Sequence, residues 1–276
     1  MKDNESLLYN VSGSEALTDP ERVEQLVKEL MKRGYFLFTR QEDSLVFAAW
    51  LLQLDPPWPH WSAEQRAQNQ EQAAPYLERI FTPGVSEQLR QQIERFKEGQ
   101  QETLYIGARS IERVGPLHNH QFDLHLAPVR KYLALNYTND FWVIKRNDQD
   151  SAAAFDHFLG IVEVLYDLYR PFYAYAWNHN NAIPVTESDY LEQRKPYTLY
   201  DINLFGPEMV DNLGGREFVL KAPAQVVREL FGGGVLMIPK APWYPGSLGH
   251  SWSKVAKYLG VVCPDFAVGD DWEEDE

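Results

Sequence analysis

Phe155, Phe158, Leu159, Val162, Tyr166 and Tyr169 recur at offsets of 3, 4, 7, 11 and 14, the stripe of an amphipathic helix. Asp150 or Ser151 is placed to cap this helix, and Arg170-Pro171 stops it. So broad an aromatic face must be buried, and a sheet is the surface that can cover it. The flanking sequence supplies short strands. Thr103–Arg109, Gln121–Ala127, Phe172–Trp177 and Thr198–Phe205 read as strands. Tyr132–Tyr137 and Phe141–Lys145 read as a hairpin about Thr138-Asn139-Asp140. Val226–Phe231 and Val235–Pro239 form another about Gly232-Gly233-Gly234. Gly206-Pro207 opens a short helix that ends at Gly214-Gly215, and Ser251–Leu259 is a last helix. Helices interspersed irregularly among strands predict an α+β fold with a mostly antiparallel sheet beneath the long helix.

The N-terminal region reads differently. Residues 1–18 carry no clear pattern and are expected to be loosely ordered. Asp19-Pro20-Glu21 then combines an N-cap, a first-turn proline and a favourable acid. Val23, Leu26, Val27, Leu30 and Met31 give that helix one apolar face, and Gly34 ends it before a strand at Tyr35–Phe38. Ser44–Leu54 is apolar and fits a buried helix or a strand. Asp55-Pro56-Pro57-Trp58-Pro59-His60-Trp61 is a loop, because three prolines block regular structure. The Gln- and Glu-rich residues 62–98 read as two helices. The first breaks near Pro75 or Pro83, and the second sets Val85, Leu89, Ile93 and Phe96 on one face before Gly99. The expected organisation is a helix-rich region over 1–99, an α+β domain over 100–264 and an acidic tail over 265–276.

Composition narrows the function classes. Of 276 residues, 44% are apolar and 13% aromatic, enough for a substantial core. Cys263 is the only cysteine, so the chain can form neither an internal disulfide nor a thiolate metal cluster. With no basic-then-apolar leader and no apolar run long enough to span a bilayer, a cytoplasmic location is expected, away from membranes. The formal net charge of −14 argues against nucleic-acid binding, since phosphates are repelled by an acidic surface. Asp265, Asp270, Asp271, Glu273, Glu274, Asp275 and Glu276 carry half of that excess, around Trp272. A run like this serves as a solvated solubility element or as a lure for a basic partner.

Catalytic motifs are sparse. His118 and His120 share one face of a strand, and Asp123 and His125 the other. A His-x-His pair can grip zinc or iron with a third ligand from elsewhere, yet no glutamate follows at cupin spacing, and ordinary surface histidines fit the same pattern. Gly232-Gly233-Gly234 leads into a strand rather than a helix N-terminus, so it reads as a turn and not a phosphate cradle. Gly246-Ser247-Leu248-Gly249 is not a nucleophile elbow. Trp58 and Trp61, with Trp243 and Tyr244 in Ala241-Pro242-Trp243-Tyr244-Pro245, sit in proline-stiffened loops, where rigid aromatics either recognise partners or fold back over the core.

Leu199-Tyr200-Asp201-Ile202-Asn203-Leu204-Phe205-Gly206-Pro207-Glu208-Met209-Val210 is followed by Gly214, Gly215 and Arg216, by Ala222-Pro223-Ala224, and by Glu229-Leu230-Phe231-Gly232-Gly233-Gly234-Val235-Leu236. Preceded by the helix and strand of Leu159–Tyr175, this order resembles bacterial immunity proteins of the immunity protein 52 family and related type VI immunity-like families. The resemblance runs over roughly residues 100–260 and leaves the N-terminal helices without a counterpart. It implies an α+β protein that neutralises a cognate toxin, often a nuclease, and it carries over no catalytic residue. Asp201, Asn203 and Gly206-Pro207 are expected to shape a strand-to-helix turn rather than touch the toxin.

The reading that follows is a non-catalytic protein-binding module without a cofactor, whose partner is a toxin with a basic surface. Its contact residues are expected among Trp58, Trp61, Trp243, Tyr244, Asp270, Asp271 and Trp272. The alternatives are a metal-dependent enzyme built on His118 and His120, with Asp123 and His125, and a structural or phage-associated subunit.

Overall fold

The structure is a computed structural model that describes residues 5–11, 15–52, 61–114, 118–130, 132–138, 149–178, 194–241 and 249–263. The fold is α+β with mostly antiparallel pairing, and the chain divides into two compact units, Asp19–Leu126 and Met1–Thr18 with Ala127–Glu276. The first strand, β1 (Glu5–Val11), belongs to the larger unit, so residues expected to be loosely ordered instead pair on both sides. Strand pairing is non-local, and a short segment reveals little of it before its distant partners are known.

In the Asp19–Leu126 unit, α1 (Pro20–Lys32) starts as its cap signal demands, with the Asp19 carboxylate accepting from the Glu21 amide at 3.0 Å. Its stripe of Val23, Leu26 and Leu30 is buried. Gly34 turns the chain into β2 (Tyr35–Phe38), all four residues of which are buried. The ambiguous apolar segment is a helix, α2 (Asp43–Leu51). Two helices follow, α3 (Ala63–Leu77), which ends two residues past Pro75, and α4 (Glu87–Lys97). Val85 lies not on α4 but in a two-residue strand, β3 (Gly84–Val85). The long strands β4 (Leu104–Val114) and β5 (His118–Ala127) complete a sheet ordered β3-β2-β4-β5. Phe36 and Phe38 meet α2 and α3 through Val46, Ala49, Ala73 and Tyr76, while α1 and α4 pack on β2. Covered on both faces, β2 reads as an unbroken apolar run rather than an alternating one.

The larger unit is built on β1, β6 (Tyr132–Thr138), β7 (Tyr173–Asn178), β8 (Ile202–Phe205), β9 (Val226–Glu229) and β10 (Val235–Ile238), ordered β6-β1-β7-β8-β10-β9 and antiparallel throughout. The long helix α5 (Gln149–Tyr169) lies across one face. Val162, Leu165, Tyr166 and Tyr169 meet Leu133, Ala174 and Leu204, and Phe158 sets an edge-on ring against Tyr137. Tyr173, Tyr175, Phe205 and Met237 form a second core with α6 (Pro207–Asn212), α7 (Arg216–Val219) and α8 (Trp252–Leu259). The glycine hairpin forms as expected between β9 and β10. The expected hairpin strand Phe141–Lys145 lies outside the described residues. Among the described residues, no helix is long and apolar enough to cross a membrane.

Candidate functional site

Buried polar chemistry gathers on one face of β4 and β5. Arg109 is opposite Gln121, Gly107 opposite Asp123, and Tyr105 opposite His125. Side chains on a strand alternate, so this polar row shares its sheet with Ile106, Ala108, Phe122, Leu124 and Leu126 on the reverse, all buried. Arg109 is only 1% exposed. Its guanidinium lies 4.9 Å from the Trp50 ring and 5.8 Å from the Phe47 ring, under α2, and Nη2 donates to Gln121 Oε1 at 2.5 Å. Among the described residues, Nε and Nη1 have no hydrogen-bond partner.

Burial pushes the Arg109 pKa down to about 10, while Asp43 and Asp123 pull it up; the group stays charged at neutral pH. Desolvation raises Asp43 above its ordinary range, and the fields of Arg109 and Arg40 oppose that rise. The Tyr105 hydroxyl is held neutral, first by burial and then by the charge and hydrogen bond of Asp123. The arrangement is thus a charge-compensated cluster that fixes α2 on the sheet. The start of α2 is pinned separately: buried Glu42 accepts from the Thr39 amide at 2.8 Å and from Ser86 Oγ at 2.6 Å.

Asp123 of the His118/His120/Asp123/His125 set is therefore engaged in the Tyr105–Arg109 cluster. His118 and His120 lie on β5 at the alternate register positions from Asp123 and His125. Among the described residues, no three His, Cys, Asp or Glu side chains gather as a metal-holding group. Trp61 is half-buried just before Ser62, which caps α3 through a reciprocal bond with Gln65. Trp58, Trp243, Tyr244, Asp270, Asp271 and Trp272 lie outside the described residues, as does the whole acidic tail, 265–276.

In the segment that carries the family resemblance, Asn203 and Asp201 are buried polar positions. Asn203 is fully buried on β8. Its Oδ1 accepts from the Tyr173 hydroxyl at 2.9 Å and from the Tyr200 amide at 3.0 Å, and its Nδ2 donates to the Tyr200 carbonyl at 2.8 Å. Asp201 is also buried, and Gly206-Pro207 starts α6. Sequence reasoning missed Phe231, an exposed aromatic residue at the glycine turn. The apolar text around it hid this, and only its place at a three-glycine tip gave a signal.

No protein-family model and no curated protein matches this chain. Among solved structures it is similar to the Pseudomonas aeruginosa T6SS protein PA0821, at 11% identity and a TM-score of 0.47, over 94% of this chain and 72% of that one.

Proposed function

We propose that this chain is a cytoplasmic immunity protein that neutralises a cognate bacterial toxin by binding it, without turnover of its own. The observation that carries this reading is the use made of residues 199–236. Their order resembles that of immunity proteins, and their buried polar groups are directed inward: Asn203 ties β8 to Tyr173 and Tyr200. With those groups committed to the fold, the work falls to the exterior, where a charge of −14 favours a basic partner such as a nuclease with a phosphate-binding cleft. The test is capture of the bound protein from the native host, its identification, and its expression alone and together with this chain. Growth arrest relieved only by co-expression supports the reading. A captured protein that is harmless when expressed alone, or measurable conversion of a small molecule by the purified chain, overturns it.

A further inference from the structure

The apolar face of α1 is wider than the part of it that is buried. Val23, Leu26 and Leu30 are buried, whereas Val27 and Met31, each one residue further round the helix, are only half-buried. These two line a groove between α1 and α4, together with Ile93 of α4 and the half-buried Val85 of β3. The groove has a volume of about 530 Å³, within the roughly 300–1,000 Å³ of small-molecule sites.

Lys97 sets the two helices against each other. Its ammonium meets Glu24 of α1 at 2.5 Å and Glu94 of its own helix at 3.2 Å. Counted from that bridge, Met31 lies two turns along α1 and Arg90 two turns back along α4, so the groove runs for about 10 Å between the helices.

The acids of the groove are already engaged and two of its cations are not. Glu24 and Glu94 share Lys97. The Lys97 hydrogen bond is the largest cause that holds Glu24 below the ordinary carboxylate range, and the field of Lys28 is the smallest. Among the described residues, neither Lys28 on the α1 wall nor Arg90 on the α4 wall has an ion-pair partner. Arg90 Nε donates to the Val85 carbonyl at 3.4 Å, which keeps its guanidinium at that end of the groove. Three cations against two acids leave one positive charge beside an apolar floor, on a chain whose net charge is −14. A toxin with a basic surface is repelled by such a spot, so the groove stands apart from toxin recognition.

Two unpaired cations over apolar side chains select an occupant that is apolar along its length and negative at its head. Four apolar side chains fall far short of the roughly 20–30 residues a side of a stable protein interface, which points to a small molecule. We infer that the groove between α1 and α4 binds a single-chain alkyl carboxylate, with its tail among Val27, Met31, Val85 and Ile93 and its headgroup between Lys28 and Arg90. Arg90 offers the carboxylate a planar fork, and Lys28 offers a point charge from the opposite wall.

The probe is decanoate, titrated below its micelle concentration into the full-length protein with labelled methionine, isoleucine and valine methyls. Saturable shifts are expected at Val27, Met31, Val85 and Ile93. Decyltrimethylammonium, with the same tail and the opposite charge, is expected to bind at least tenfold more weakly. Lys28→Gln combined with Arg90→Gln changes two exposed side chains, so the melting temperature should hold while decanoate affinity falls at least fivefold and decanol affinity stays within twofold. Decanoate binding to the double variant within twofold of wild type overturns the assignment. So does decyltrimethylammonium that binds as tightly as decanoate, or a set of shifts confined to methyls outside the groove. Toxin neutralisation is unaffected by any of these results, so the two proposals fail separately.

Discussion

Arg109 shows how one buried charge can govern a local structure. It places a full charge where a sheet face meets α2, and the cost of desolvation is offset by aromatic stacking, Gln121 and the fields of two aspartates. Arg109→Ala removes the buried cation that opposes the charges of Asp43 and Asp123 and is expected to destabilise the chain by about 3 kcal/mol. Arg109→Met keeps an unbranched stem against Trp50 but removes the same charge, so it should recover only the packing part of that loss, with both read from the urea midpoint. Asp43 provides a pH signature. Its folded-state pKa is raised by burial, so its stabilising contribution is present at acid pH and lost as pH rises through the raised value. Asp43→Asn should therefore flatten the fall of stability that begins as pH rises above the ordinary carboxylate range; an unchanged slope would show that the carboxyl is not desolvated. None of this cluster was legible in the sequence. Arg109 sits in Leu104–Val114 beside Ser110, Glu112 and Arg113, with nothing to single it out, and its burial depends on α2, a segment that read equally well as helix or strand.

At the scale of elements, legibility follows the range of the forces. Asp19-Pro20 and Gly34 bracket α1, and Ser251 caps α8 by accepting from the Lys254 amide at 3.3 Å, because caps act within one turn. The stripe of α5 was visible for the same reason, since neighbouring turns alone set its period. β1 was hidden because its partners, β6 and β7, lie beyond the whole Asp19–Leu126 segment. Its place between them makes it a keystone. A chain lacking residues 1–11 leaves facing edges of β6 and β7 unpaired, and is expected to lose its cooperative thermal transition and to aggregate, as followed by circular dichroism and size-exclusion chromatography. A truncated chain that melts like the full one would show that β1 is dispensable.

For the whole molecule, charge is the dominant long-range quantity. With a net −14, association with a basic toxin should slow steeply with salt while dissociation changes little, a separation that stopped-flow measurements resolve. Removing residues 265–276 takes away half the excess charge and should flatten that salt dependence. An on-rate indifferent to salt would assign recognition to shape alone. The interleaving of the two units has a separate bearing on how the protein is made. The Asp19–Leu126 unit is contiguous and can fold as soon as it leaves the ribosome, whereas β1 emerges earlier and must wait for β6 and β7. At about 5–20 residues per second that interval is on the order of ten seconds, during which β1 has no partner strand to pair with.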